Sequence, residues 1–409
     1  MTPKEEAQKI YTYAIDRVNP YSASVEKIRT AVGSADGVTV ISVGKAAVPM
    51  ARAAEDTLGE RIKRGLCVTK YGHTGDYKPK YFDVIEAAHP VSDENSIIAA
   101  ERALRLADEA GDGETVLVLL SGGASALMEK SVVDAERQRE ITEKLLKRGA
   151  DIEETNSVRR RLSVIKGGKL AEHCFPARVV TVALSDVLSN DKSAIGSGIT
   201  VHDETSDADV MNTAKKYLYD EPSDIFELLK KGEDKPINDG GYFFAGDVTR
   251  LCDAASECAE KLGFEVENGG EFLTGEACDA AERIISLAES KRDGTKRCFV
   301  FGGETTVTVR GNGLGGRNQE MALYAALRLD GTDGMLFASV GSDGTDGPTD
   351  AAGGIADGTT ASAIRNAGVS PEISLENNDS YRALKVGDAL AVTGPTGTNV
   401  NDLTFILTY

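Results

Sequence analysis

Continuous apolar runs alternate with helical patterns through the first half of the chain. Val38–Val43 (VTVISV), Val116–Leu120 (VLVLL) and Val179–Leu184 (VVTVAL) lack the strict polar–apolar alternation of a strand with one wet face. Such runs suit parallel strands covered on both faces, and the helical patterns between them predict an α/β sandwich with a doubly wound, largely parallel sheet. Each run stops abruptly in polar residues: Gly44-Lys45, Ser121-Gly122-Gly123-Ala124-Ser125 and Ser185-Asp186. In a doubly wound sheet the carboxyl ends of the strands border the ligand crevice, so three separated segments are expected at one site.

Apolar periodicity fades from Asp203 to Gly241, where Glu221-Pro222, a charged run from Lys230 to Pro236 and Asn238-Asp239-Gly240-Gly241 mark a boundary or a pair of bridging helices. The expected domains are residues 1–235 and 236–409. The second half reads as a smaller α/β domain. It has strand patterns at Tyr242–Ala245, Met335–Val340 and Leu403–Thr408, with helices over Asp247–Leu262 and, behind the capping residue Thr274, Gly275–Ser290.

Within that half, Gly302 to Glu320 reads GGETTVTVRGNGLGGRNQE. Thr305–Val309 alternates like a half-buried strand, glycines follow at 311, 313, 315 and 316, and Arg317-Asn318-Gln319-Glu320 opens a helical pattern. The glycines suggest a turn whose amides approach a small anion, and Arg317 could fork onto two of its oxygens. Gly311, Gly313 and Gly316 also satisfy G-x-G-x-x-G. A dinucleotide fingerprint, however, should follow a fully buried strand, not threonine alternating with valine. The segment is therefore read as half of a divided site, with the glycines aiming Arg317.

Composition narrows the partners. The 409 residues carry 46 basic against 65 acidic side chains, a net charge of -19, which opposes binding to nucleic acid or to an anionic membrane. A phosphate ligand must then be met by local basic groups. Six scattered cysteines without C-x-x-C spacing read as reduced thiols. The amphipathic start MTPKEEAQKIYTYAIDRV and the lack of a long apolar run point to a cytoplasmic protein.

Lys45, at a strand-to-helix junction, is placed to neutralise a transferring phosphoryl group. Ser121, Gly122, Gly123 and Ser125 form either a phosphate cradle or the start of a nucleophile elbow. The elbow fails at Leu127, where G-x-S-x-G requires glycine, and no motif points to His173 or His202 as its base. Asp186 and Asp191 could hold magnesium through oxygen while Gly196-Ser197-Gly198 takes a phosphate, although aspartates after strands also cap turns. Asp343 and Asp346, in GSDGTDGPTD, are candidates for hydroxyl or metal contacts. The chain has no Walker A sequence and no H-R-D or D-F-G landmark.

Taken in order, VGKAA at 43–47, AAHPVSDE at 87–94, SGGASAL at 121–127, NSVRRRLSVIKGGKLA at 156–171, SDVLSND at 185–191, the glycine segment at 302–320 and GSDGTDGPTDAAGG at 341–354 resemble the class II glycerate kinases, or MOFRL family. The resemblance spans nearly the whole chain. It implies an N-terminal Rossmann-like nucleotide-binding domain, a smaller C-terminal domain and an active site in the cleft between them. ATP would be the phosphoryl donor, with magnesium or another divalent cation, and D-glycerate the acceptor at its 2-hydroxyl. Lys45 and Arg317 match the lysine and arginine regarded as catalytic in the family.

On this reading Ser121, Gly122, Gly123, Ser125, Gly196 and Ser197 hold the nucleotide, and Lys45, Arg317, Glu304 and Asp346 contact the substrate. Asp186 and Asp191 bind metal, and Asp191 orients the hydroxyl and accepts its proton late. The alternatives are a glycerate 3-kinase, an NAD(P)H-dependent hydroxypyruvate reductase and a non-catalytic sensor; a homodimer is left open.

Overall fold

The computed structural model describes residues 1–269 and 272–409. The chain folds as two compact units, one made of Pro20–Leu184 with Ser189–Ala245, the other of Met1–Asn19, Ser185–Leu188 and Gly246–Tyr409.

The first unit is built on β1 (Val38–Val43), β2 (Ile62–Lys70), β3 (Asp83–Ala87), β4 (Thr115–Leu120), β5 (Arg178–Leu184) and β6 (Asn238–Gly246, in this unit through Ala245). Their order in the sheet is β3-β2-β1-β4-β5-β6, and the pairings β3–β2, β2–β1, β1–β4 and β4–β5 are all parallel. This is the Rossmann order, in which the topology reverses between β1 and β4. Both of those strands are buried at every position, as their unbroken apolar runs require. Register then aligns the edge: Val43 pairs with Val68 and Leu120, and Leu120 with Ala183, so the polar residues after β1, β4 and β5 leave from one side of the sheet.

The polar stretch 203–241 holds two helices, Asp207–Tyr217 and Asp224–Leu228. Their Val210, Tyr217 and Ile225 pack with Ile141, Leu145, Val158 and Leu162 in a satellite core of the first unit. A cut at residue 235 would detach β6 from its sheet, so the contacts end this unit at Ala245 instead.

The second unit contains β7 (Glu265–Asn268), β8 (Arg297–Gly303), β9 (Met335–Gly341), β10 (Gly353–Asp357), β11 (Leu390–Ala391) and β12 (Asp402–Thr408) in the order β11-β10-β9-β12-β8-β7. Only β7–β8 is parallel among these pairings; the other four are antiparallel. Helices Ala277–Ser290 and Arg317–Arg328 cover one face through a core that includes Ile284, Met321, Phe299, Phe337 and Ile406. The predicted strand Thr305–Val309 is absent. The strand lies upstream, as β8, and the threonine–valine stretch docks along residues 273–276 by Glu304 N–H to Leu273 O (2.9 Å) and Thr306 N–H to Gly275 O (2.8 Å). Thr305 is buried but Val309 is 74% exposed, so the alternation marks no sheet face.

The N-terminal helix Pro3–Arg17 belongs to this unit because it packs on the helix Val248–Lys261. Buried Glu6 fastens it, accepting from Lys296 Nζ and Tyr409 Oη at 2.8 Å each. No helix among the described residues is long and apolar enough to cross a membrane. Glu6→Ala leaves two partly buried donors without their acceptor and should lower unfolding stability by about 1–2 kcal/mol in urea titrations; an unmoved transition would show that the clamp contributes nothing.

Candidate active site

In the first unit the switch point lies where the turns after β1 and β4 meet. Gly44 has φ +132°, and a Cβ there would overlap Ser121 Oγ. Ser121 Oγ accepts the Ala46 N–H (3.0 Å), and the Lys45 N–H donates to Gly122 O (2.9 Å), so the two turns are stitched together. Ser121, expected to touch nucleotide, is buried and employed in this stitch. Lys45 projects from it. Its side chain is exposed and its Nζ has no hydrogen-bond or ion-pair partner among the described residues.

Gly123 (φ +89°) turns β4 into the short helix Ala124–Leu127, and Ser125 Oγ lies 2.8 Å from Ser197 Oγ. That bond brings together two segments that the sequence had placed at the same ligand. Gly196, Ser197 and Gly198 all have left-handed φ angles, +58°, +57° and +65°. For serine this costs about 1–2 kcal/mol. The loop is held by Gly167 N–H to Ser197 O (3.2 Å) and Gly168 N–H to Gly198 O (2.7 Å). The elbow reading finds no triad here. His173 Nδ1 pairs with Asp108 Oδ1 at 2.7 Å, and His202 Nδ1 faces Glu172 and Asp234.

The proposed metal ligands are separated by the division of the chain, Asp186 falling in the second unit and Asp191 in the first. Asp191 is exposed and caps its own turn, accepting Ser193 N–H (2.8 Å) and Ser193 Oγ–H (2.9 Å) on different oxygens. Each oxygen keeps a lone pair, so a metal contact is still open to it. Glu172, His202 and Asp234 are the one group of three metal-type ligands among the described residues. Lys231 Nζ already bonds Asp234 Oδ2 there at 2.8 Å.

In the second unit, a cavity of about 820 Å³ is lined by Arg317, Glu304, Thr305, Asp343, Asp346 and Leu188, among others. Arg317 opens the helix Arg317–Arg328. Its Nε and Nη2 fork onto the buried Asp402 at 2.5 and 3.1 Å, and Nη1 donates to Glu304 Oε1 at 2.8 Å. The side-on fork expected for a substrate is therefore taken. One N–H on each terminal nitrogen remains. Burial pushes the Asp402 carboxyl up to about 6, against the pull of Arg317 and with the Asp346 charge adding to the rise.

Asp346 is also mainly structural. One oxygen accepts the Asn318 N–H (3.2 Å) and side-chain amide (3.3 Å), the other the Gln319 N–H (2.8 Å). It therefore satisfies open amides at the first turn of the arginine's helix and sits against the N-terminal end of its dipole. Gly316 is required because a Cβ would overlap this carboxylate. Burial raises the Asp346 pKa in turn.

Two residues of this network escaped the sequence reading. Asp402 begins β12, and Asn401 precedes it with φ +66°, donating to Glu304 Oε2 and Asp186 O at 3.0 Å each. Neither lies in a recognisable motif. The one available signal was a polar Asn-Asp pair at the start of an apolar strand.

The glycine loop is filled by the protein itself. Gly313 N–H donates to Asn377 O (2.9 Å), Arg310 and Gly311 N–H to Asn378 Oδ1 (2.8 and 3.1 Å), Asn312 N–H to Asn377 Oδ1 (3.1 Å) and Leu314 N–H to Asp379 Oδ1 (2.9 Å). A Cβ at Gly311 or Gly313 would collide with the backbone at 377–379. The glycines permit this close packing, and the amides of residues 310–314 are already bonded within the protein.

These features define a two-unit α/β protein with a Rossmann-order sheet carrying a free lysine at its switch point and a second unit holding a carboxylate-bound arginine beside a cavity. The chain belongs to the MOFRL family: residues 297–402 match the MOFRL family and residues 6–230 a domain of unknown function (DUF4147). It is 43% identical over 407 residues to the D-glycerate 2-kinase of Thermotoga maritima, covering 98% of this chain and 97% of that one. It is 38% identical to the glycerate 2-kinase of Pyrococcus horikoshii over 90% of this chain and 86% of the other. A chain from Agrobacterium vitis provisionally named a hydroxypyruvate reductase is 35% identical over 90% of this one and 86% of its own length. The crystal structure of a glycerate kinase from Thermotoga maritima superposes with a TM-score of 0.94 at 42% identity, covering 99% of each chain.

Protonating Asp402 weakens its hold on Arg317. Activity should therefore fall as the pH drops through about 6, and Asp402→Asn should remove that acid limb while lowering kcat/KM across the range. A pH–rate profile with the limb intact in Asp402→Asn would assign it to another group.

Proposed function

We propose that this protein is an ATP-dependent kinase that phosphorylates D-glycerate at its 2-hydroxyl, yielding 2-phospho-D-glycerate and ADP. The observation that carries the reading is Lys45, an exposed lysine without a partner at the switch point of a Rossmann-order sheet. The relatives named above supply the substrate class.

In this account the phosphates of ATP meet Gly122, Gly123, Ser125, Gly196 and Ser197, and Lys45 stabilises charge on the transferring group. The glycerate 2-hydroxyl oxygen bonds to the γ-phosphorus as the bond to the ADP oxygen breaks. Asp191 orients the hydroxyl and accepts its proton late, since a loose transition state needs little base strength. Asp186 and Asp191 would be the carboxylates that hold a magnesium ion accompanying ATP, which would offset charge on the phosphate oxygens. Arg317 contributes its two remaining N–H groups to glycerate, Glu304 lies beside it, and Asp346 acts by holding its helix. All six cysteines are free thiols, which supports a reducing compartment such as the cytoplasm.

The reductase reading draws on the names of two relatives, both from Agrobacterium vitis, and the first part of the glycine loop that suggested it is packed against residues 377–379. Incubation with hydroxypyruvate and NADH or NADPH should oxidise neither nucleotide. Incubation with D-glycerate, ATP and magnesium, coupled to enolase without a mutase, should give signal at once; signal only after mutase addition would mean the 3-isomer.

Lys45→Ala should lower kcat/KM more than about a hundredfold in a folded protein, the range for losing one preorganised donor. Arg317→Ala would leave Asp402 buried and unpaired, so Arg317→Lys is the cleaner probe: it keeps the charge and loses the fork. Glycerate KM should rise most in that variant, and normal turnover in either protein would refute the role given to its residue.

A further inference from the structure

We propose that His89 and Lys70 join Lys45 in receiving the phosphate chain of the nucleotide, and that the His89 imidazole takes up a proton as that polyanion binds. The inference rests on the nucleotide reading above and extends it to residues that reading did not use.

The three side chains leave the same edge of the sheet. β1, β2 and β3 are adjacent and parallel, with Val43 level with Val68 and Lys70 level with Ala87. Lys45 and His89 each follow their strand by two residues, and Lys70 ends its own. The imidazole also lies against the turn after β4: a Cβ on Gly123 would be 3.0 Å from His89 Cδ2, 3.3 Å from its Nε2 and 3.4 Å from Lys45 Cγ. Lysine stem, imidazole and glycine turn thus converge.

None of the three side chains, Lys45, Lys70 or His89, has a hydrogen bond or ion pair among the described residues. Nearby acids exist but are engaged elsewhere. Glu86 Oε1 accepts Gly72 N–H (3.1 Å), Thr74 N–H (3.2 Å) and Thr74 Oγ1–H (2.7 Å). Asp93 accepts Ser96 N–H and Oγ–H at 3.1 Å each and Tyr71 Oη–H at 2.6 Å. In a chain of net charge -19, a set of basic groups left without acidic partners is the arrangement a bound anion would complete.

The imidazole already responds to this field. Burial, then the charges of Lys45 and Lys70, hold its pKa below the ordinary value, so it is largely neutral at pH 7 in the empty protein. A phosphate chain reverses the field and adds an acceptor, which favours the charged ring. Between the free and bound midpoints each nucleotide carries one proton from solvent, so nucleotide affinity falls as pH rises through that window. Below the window the ring is charged in both states, and above it neutral in both.

The nucleotide's terminal phosphate titrates nearby in pH, so the imidazole should be read directly. Ring C–H resonances of His73, His89, His173 and His202, with His89 assigned through His89→Gln, are followed by NMR against pH. The ligand is magnesium with the ATP analogue whose β,γ-bridging oxygen is an imido group. The His89 midpoint should lie below that of the free amino acid side chain and rise by about one unit or more at saturation, the other three staying in place. Tripolyphosphate should produce the same rise, and His89→Gln and Lys70→Gln should each weaken analogue binding roughly tenfold while leaving glycerate KM unchanged. If the analogue binds and His89 does not move, the His89 proposal fails while the nucleotide reading stands. If the analogue does not bind the wild-type protein at all, both fail.

Discussion

Parallel pairing with level strand ends is the constraint from which the first unit's chemistry follows. A parallel strand must release its chain at the carboxyl edge and return by a crossover, so β1 to β5 deliver Lys45, Lys70, His89, the Ser121–Ser125 turn and Ser185 along one border. The topology reverses between β1 and β4, and Ser121 ties the turns that follow them together through its bond to Ala46 and its close approach to Gly44.

The two units present opposite local fields. Around Lys45 basic side chains lack acidic partners, whereas Arg317 is held by Asp402 and Glu304 beside Asp343 and Asp346. A guanidinium so heavily compensated is positioned more than it is attractive. Its remaining N–H pair has a fixed direction, set by the buried fork on one side and by the helix that Asp346 stabilises on the other. Strain at Asn401, left-handed beside Asp402, is consistent with that demand for position.

Much of this was legible in the sequence, for identifiable reasons. Unbroken apolar runs reveal strands buried on both faces, and the polar residues that end them mark the carboxyl edge of the sheet, which is how Lys45, Gly123 and Ser125 could be placed on one border. Thr305–Val309 misled because alternation of threonine and valine is also satisfied by a segment docked along a neighbouring loop. The glycines at 311–316 misled because glycine permits close approach without specifying what approaches: here it is Asn377 to Ser380 at Gly311, Gly313 and Gly315, and Asp346 at Gly316. The fork on Arg317 was hidden because its partner lies 85 residues away in the last strand. His89 was passed over because a single histidine has no periodicity; only the order of the strands brings it to Lys45.

The central claim is that the nucleotide is held by the first unit's sheet edge, while Arg317 serves the other substrate. Calorimetric binding of the magnesium complex of the imido ATP analogue to the Lys45→Ala and Arg317→Lys proteins tests this without turnover. The account predicts that Lys45→Ala loses roughly tenfold or more in affinity while Arg317→Lys binds as the unaltered protein does. Weakened binding in Arg317→Lys with normal binding in Lys45→Ala would contradict it.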